Sequence, residues 1–401
     1  MKKKYLLFMS LLILAASVIV YKVQAGGDYL PKMREMAGQG SEVKQLAGEI
    51  YEASQQGEII GYFNLQSAIG YAGPVDVLVF IDKEGQLKKL EIVQQTETPS
   101  FFNKVMSVGF VDNILGKKAN SQFELGQDLD GVTNATFTSR AIAEAVRKAS
   151  HTIAMTQLNM EVPQTTSLKL SLEHYLLLGL LFAVFLFQKF KLNKLRNVTL
   201  IAGFLLIGYW QKALLTLGNI ASVISGNISW QNMPFWLILL IGVFALILIT
   251  GRNLYCYWIC PYGALSELLG AFGRFSRTSY KPCERSIKRF KHLRLFLAWI
   301  ALVFAFLMMN PSISSYEIFA PLFAWEGTAV QWLMLPVMLF AGVFILRIWC
   351  RFFCPVGGIL DFLVTCRRSC VQWIDSKVMK NKLSQKQLRQ IQLEPGHQEK
   401  A

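Results

Sequence analysis

Five apolar runs, at roughly 171–188, 198–217, 234–250, 295–309 and 331–349, dominate the second half of this 401-residue chain, and a sixth, Tyr5–Val20, opens it. Each is long enough, or nearly so, to cross a hydrocarbon layer about 30 Å thick. With 53% hydrophobic residues and a mean hydropathy of +0.36, the chain reads as a membrane protein rather than a soluble globule. The loops between the runs carry a second pattern. Gln188–Arg196, Arg274–Arg294 and Arg367–Arg389 are rich in Lys and Arg, whereas Gly218–Asn232 and Pro311–Val330 contain neither. Basic loops stay on the cytoplasmic side, so the alternation predicts about six crossings with both termini inside. The net charge is +15, but residues 26–163 hold 17 acidic and 12 basic residues, a balance of −5, which leaves +20 for the rest. Basic residues beside apolar runs point to a lipid bilayer and away from nucleic acid.

Two of the runs end in the same motif. The first copy is Cys256-Tyr-Trp-Ile-Cys260-Pro261-Tyr-Gly263; the second, 94 residues on, is Cys350-Arg-Phe-Phe-Cys354-Pro355-Val-Gly357. Cysteines four apart on a helix share a face, and the proline turns the chain after the second one. Two pairs supply the four thiolates of one cubane 4Fe-4S cluster. Four thiolates also satisfy zinc, and buried thiols can serve as small apolar groups; duplication with the same Pro and Gly favours the cluster. The helix pairs 198–250 and 295–349 read as a parallel internal repeat that would bring the two cysteine pairs together. Cys283, Cys366 and Cys370 are the remaining cysteines. They would hold a second cluster with one further ligand, or stand as reduced thiols in a basic tail. None of the four histidines, His151, His174, His292 and His397, pairs with another inside a span, so no haem is expected.

The chain divides into an anchor helix or signal peptide (1–25), a soluble α+β domain (26–165), an all-α membrane domain (166–365) and a basic cytoplasmic tail (366–401). In the soluble domain, Val75–Ile81, the turn Asp82–Gly85 and Leu87–Val93 predict a hairpin, and Ser139–Ile153 has helical periodicity. The segment Asp130-Gly-Val-Thr133-Asn-Ala135-Thr136-Phe-Thr138-Ser139 enters that helix. Its side chains suit N-capping. Its hydroxyls and free N–H groups equally suit a phosphate. Lys212 lies near the outer end of its apolar run, where an ammonium snorkels to the interface; a quinone or flavin contact is the alternative.

The Asp130–Ser139 segment resembles the flavinylation motif of the FMN-binding domain in NqrC/RnfG-type subunits, matching at Asp130, Gly131, Thr133, Ala135 and Thr136. The resemblance implies FMN joined through its phosphate to Thr136 by a flavin transferase, with Thr138 and Ser139 beside it. Asn134 stands where that motif has glycine or serine, and asparagine tolerates the same left-handed backbone. Gly70-Tyr-Ala-Gly73-Pro74 and Glu97-Thr98-Pro99 are also similar to segments of that domain, the latter to a flavin-contacting loop. The paired cysteine motifs resemble NosR/NirI and NapH membrane ferredoxin-type proteins, and NosR-type proteins join both halves in this order. Their polyferredoxin cysteine runs do not occur in residues 1–401, so the resemblance implies electron transfer in general rather than a role in nitrous oxide reduction.

The reading that follows is a multi-pass protein of the bacterial inner membrane with its FMN domain on the extracytoplasmic side. It would pass electrons between a 4Fe-4S centre on Cys256, Cys260, Cys350 and Cys354 and FMN on Thr136. Its partners would be a cytoplasmic or membrane donor such as quinol and an exported redox protein. A redox sensor or maturation factor for an exported metalloenzyme is the alternative, and a subunit of an Rnf/Nqr-like ion pump the third. No general acid–base pair or nucleophile constellation marks a stand-alone enzyme. The expected difficulty is the middle of the bilayer, too wide for one tunnelling step and without an evident carrier.

Overall fold

A computed structural model describes residues 2–24, 27–70, 73–163, 171–226, 234–280, 292–308 and 316–393. The N-terminal domain is a five-stranded antiparallel meander in the order β1 to β5: β1 (Ser41–Ala47), β2 (Ile50–Gln55), β3 (Glu58–Ile69), β4 (Pro74–Asp82) and β5 (Leu87–Gln95). The expected hairpin is β4–β5, with Val79 opposite Leu90 and Gly85 taking the positive φ of +79° that its turn requires. Strand β4 is apolar on both faces because both are covered. Val75, Val77, Val79 and Ile81 pack with α4 (Thr136–Thr156), while Leu78 and Phe80 pack with Met33 and Met36 of α2 (Leu30–Ala37). The predicted helix at 139–153 is thus α4, one turn longer at its start, and that added turn begins on Thr136.

Before the sheet comes α1 (Lys2–Gln24); after β5 comes α3 (Pro99–Ser107). Helix α1 belongs to the packing of the helical half. Its Tyr21 is buried with Leu217, Ala298, Leu302 and Phe306, and the Ser10 carbonyl accepts the Trp299 indole N–H at 3.0 Å.

The helical half comprises α5 (Leu172–Lys189), α6 (Arg196–Gly203), α7 (Leu217–Ser225), α8 (Pro234–Thr250), α9 (Pro261–Phe275), α10 (Leu293–Leu307), α11 (Phe319–Phe323), α12 (Ala329–Phe344), α13 (Ile348–Phe352) and α14 (Pro355–Leu393). Among the described residues, α5 alone is both long and apolar enough to cross a bilayer by itself; Phe8–Lys22, α8, α10 and α12 are shorter apolar helices. The 198–217 run is not one span. It is α6, a π-helical turn Phe204–Trp210, an irregular stretch and then α7. Particular residues mark the breaks. A Cβ on Gly203 would sit 2.1 Å from the Ile259 carbonyl oxygen, so only glycine admits that crossing. Lys212 takes a left-handed φ of +50°, and the Thr216 hydroxyl caps α7 by accepting the Asn219 N–H. Residue 366, where the basic tail is expected to begin, lies within one helix. Helix α14 starts at the second motif's proline and runs unbroken through it to Leu393, because no Pro or Gly interrupts it after Gly358.

The two halves are in contact. Lys104 of α3 pairs with Glu326 at 2.7 Å, Ala320 and Ala324 pack on the N-terminal core, and Phe137 packs on the helical core.

Candidate functional site

Thr136 is the first residue of α4 and is exposed, as are Asp130, Gly131 and Thr133. Ala135, the N-cap position, offers no side-chain oxygen to the first turn, which leaves N–H groups there open to an anion. Beneath this surface the motif is fastened. Ser139 accepts the Val132 N–H at 3.3 Å and donates to the Ala135 carbonyl at 3.1 Å. Thr138 donates to the Glu97 carboxylate. Glu97 is fully buried and also accepts the Gly73 N–H at 3.4 Å. A Cβ on Gly70 would lie 2.5 Å from that carboxylate, so glycine at 70 is what lets Glu97 in. Glu97 and Thr98 are both buried, and Glu97 braces the motif through Thr138. Asn134 has φ +67°, the left-handed conformation that its chemistry allows.

A cation from the other half meets this motif. Lys212 Nζ donates to Asn134 Oδ1 at 2.8 Å, two residues before Thr136. The left-handed backbone at Lys212 and the broken helix around it aim the side chain at the N-terminal domain. An exposed hydroxyl at a helix N-terminus beside an ammonium is a fitting seat for a phosphodiester.

Cys256, Cys260, Cys350 and Cys354 line one cavity of about 1280 Å³. The four lie beyond the ends of the apolar runs. Burial raises the Cys256, Cys350 and Cys354 thiols above the ordinary range, and the charges of neighbouring cysteines raise them further; these influences link all six pairings of the four sulfurs. Four thiols so placed can lose their protons together only around a cation, which is what a metal cluster supplies. Among the described residues no three His, Cys, Asp or Glu side chains converge as around a single metal ion. The four thiols line the same cavity, and four is the number of thiolates that one 4Fe-4S cluster needs. In both motif copies the glycine donates its N–H to the second cysteine: Gly357 to Cys354 Sγ at 3.3 Å, and Gly263 to Cys260. Such N–H···S bonds to the sulfurs help set a cluster's potential. A Cβ on Gly357 would stand 3.6 Å from the Cys354 sulfur.

The repeat extends to residues that sequence reasoning passed over. Arg347 donates to the Cys256 carbonyl at 3.2 Å and to Glu267; Arg294 donates to the Cys350 carbonyl at 3.1 Å and to Asp361. Asn253 donates to Asp361 at 2.8 Å and accepts the Cys256 N–H at 3.2 Å, and Arg196 joins Glu267. Asn253 and Arg347, and likewise Glu267 and Asp361, are 94 residues apart, the offset of the cysteines. That offset is the signal that could have found them. Cys366 is half-buried and Cys370 exposed on α14, and neither lines the cavity of the other four. Cys283 lies outside the described residues.

With this geometry, similarity to known proteins falls in the same two places. Residues 70–151 match the FMN-binding domain family, and residues 232–279 and 329–369 match the 4Fe-4S binding domain family. The chain is 32% identical to the putative electron transport protein YccM of Escherichia coli (strain K12) over 133 residues, 30% of this chain and 37% of that protein. It is 26% identical to the regulatory protein NosR of Stutzerimonas stutzeri over 198 residues, 46% of this chain and 26% of NosR. To an RnfG-type component of the Na(+)-translocating ferredoxin:NAD(+) oxidoreductase complex of Acetobacterium woodii it is 29% identical over 116 residues, 27% of this chain and 56% of that component. The matches thus span from about a quarter to somewhat over half of these relatives' own lengths.

Proposed function

We propose, from the premise that this chain is a NosR/NirI-like protein carrying an FMN-binding and a 4Fe-4S binding domain, that it conducts electrons across the bacterial inner membrane. The electron path runs between a cytoplasmic-side 4Fe-4S centre on Cys256, Cys260, Cys350 and Cys354 and FMN held through its phosphate on Thr136, and from there to an exported reductase or carrier. FMN suits that exit because it exchanges one or two electrons. A phosphodiester keeps it in place where a cell cannot easily replace it. Alternating basic and non-basic loops support a fold with both termini inside and the FMN domain outside.

The observation that carries the proposal is the contact between Lys212 and Asn134 at 2.8 Å. It seats the flavinylation motif directly on the half that holds the cysteines, so the flavin need not reach across the membrane alone. Apolar packing joins the motif to the cysteine-bearing half. Phe137, next to Thr136, packs on the same apolar core as Cys260 and Cys354. Phe323 meets Phe204 edge-on at 5.7 Å, and a Cβ on Gly208 would touch both Phe323 and Pro261, the neighbour of Cys260. Lys212 makes this contact from the irregular stretch between the Phe204–Trp210 turn and α7.

The test is mass spectrometry of the protein co-expressed with a flavin transferase, with iron and acid-labile sulfide assayed in parallel. An FMN-phosphate adduct on the Thr136 peptide and about four iron per chain are expected. Sustained reduction of an acceptor sealed inside proteoliposomes then separates a conduit from a sensor, which changes state once and stops. No adduct, or zinc in place of iron, overturns the reading.

A further inference from the structure

The cavity that reaches the four cysteines is lined by seven basic side chains. Arg196, Arg294 and Arg347 are matched by two carboxylates, Glu267 and Asp361. The lining also carries Lys191, Arg252, Arg351 and Arg368, and none of these is paired with a carboxylate among the described residues. They come from four separate segments. Lys191 sits in the turn between α5 and α6 at φ +57°, Arg252 in the turn after α8, Arg351 on α13 and Arg368 on α14, where it donates to the Gly251 carbonyl at 3.2 Å. Lys191 and Arg252 are exposed.

Basic residues at a cytoplasmic membrane surface ordinarily meet lipid headgroups. These four differ in place: they line the same cavity as Cys256 and Cys350, the two more accessible cysteines of the set. A cleft lined by one sign of charge focuses its field and draws in partners of the opposite sign. The other three arginines are largely occupied by Glu267, Asp361 and the cysteine carbonyls, so the charge of these four is left over.

We infer that this basic mouth is the docking site of a small acidic one-electron carrier protein that feeds the cysteine-held centre. The inference rests on the iron–sulfur reading above. In the step, the reduced carrier gives up one electron and the oxidised centre takes it; no proton moves and no bond is made or broken. The four unpaired cations act by holding and orienting the carrier over Cys256 and Cys350, so they set encounter and not the properties of the centre.

The experiment uses the full-length protein in phosphatidylcholine nanodiscs and, as probe, a pre-reduced acidic [2Fe-2S] ferredoxin mixed by stopped flow. The second-order rate is expected to fall steeply between low and high salt. In the Lys191→Glu/Arg252→Glu double variant it should drop about tenfold or more at low salt. Photoreduction by neutral 5-deazariboflavin, and the electron paramagnetic resonance signal of the centre, should match those of the parent. A rate that neither salt nor charge reversal moves overturns the docking site and leaves the iron–sulfur reading intact. Charge reversal that changes only the response to added phosphatidylglycerol assigns these cations to lipid headgroups and also overturns it. A parent protein without an iron–sulfur signal sinks the earlier reading itself, and this inference with it.

Discussion

Asn253 and Arg347, 94 residues apart, do the same work in opposite copies of the cysteine motif: each stands three residues before its own first cysteine and reaches across to an acid eleven residues after the other copy's first cysteine. Asn253 holds Asp361, and Arg347 holds Glu267. The two motifs are thus clasped in a swapped fashion about a pseudo-two-fold axis, and neither cysteine pair is positioned by its own repeat alone.

If that clasp positions the ligands, Glu267→Gln should loosen the site more than an ordinary surface change. It leaves Arg196 and Arg347, both partly buried, without their shared carboxylate. A loss of about 1–3 kcal/mol is expected, read as a lower melting temperature together with reduced iron content. Asp361→Asn should do the same from the other side, since an amide oxygen replaces only one of the two acceptors used by Asn253 and Arg294.

Serine at any one of Cys256, Cys260, Cys350 or Cys354 should abolish most of the iron bound per chain. The Cys366→Ser/Cys370→Ser double variant should keep about four, because neither thiol lines the shared cavity. Iron lost from the double variant would return those two to the ligand set.

Thr136→Ala should leave the chain folded and unflavinylated. Its side chain is exposed, so little packing is lost. Thr136→Ser keeps the attacking hydroxyl and should retain the adduct. Thr138→Ala should instead destabilise the domain by about 1–3 kcal/mol, because it removes a hydrogen bond to the buried Glu97 carboxylate. Intact-mass and thermal-melt measurements separate the two threonines.

Lys212→Met keeps the length of the side chain and removes its charge. Amide exchange across 132–139 should accelerate, as expected for a contact worth about 1 kcal/mol, while the sheet amides of β3 and β4 stay protected. Unchanged exchange would mean that the contact at Asn134 does not hold the two halves together.

His151 is held below its ordinary value near 6.5, first by burial and also by Arg147, against the opposing effect of its contact with the Ser121 carbonyl. A depressed folded-state value means that the unfolded chain binds the extra proton more readily. The associated stability is present above about pH 6.5 and is lost as the pH falls through the folded value. His151→Gln should flatten that part of the pH–stability profile of the N-terminal domain, measured by thermal melts from pH 5 to 8.

Much of this was legible residue by residue. The β4–β5 hairpin follows from alternation around Asp82–Gly85, and the start of α4 from a polar segment that cannot extend a strand. The cysteine pairs announced themselves because their spacing is set within one turn of helix, and the left-handed backbone at Asn134 because it belongs to one residue. Such features rest on contacts between near neighbours, which spacing encodes directly.

The rest was not written in any one segment. A run of apolar residues at 198–217 reads as a span, since hydropathy does not register that Gly203 must pass under the Ile259 carbonyl. The resemblance puts Glu97 in a flavin-contacting loop, but only the fold shows that it is buried and holds Thr138. Lys212 reads from sequence as a snorkelling cation or a cofactor contact, and only the fold puts Asn134 beside it. By itself the sequence determined the chemistry available: four thiols in two matched pairs, one hydroxyl at a helix entrance, and the sign of charge on each loop. Only the tertiary structure decided which groups meet, because Asn253 with Asp361, Arg347 with Glu267 and Asn134 with Lys212 are separated by 78 to 108 residues, and side chains that far apart are paired by packing, not by spacing.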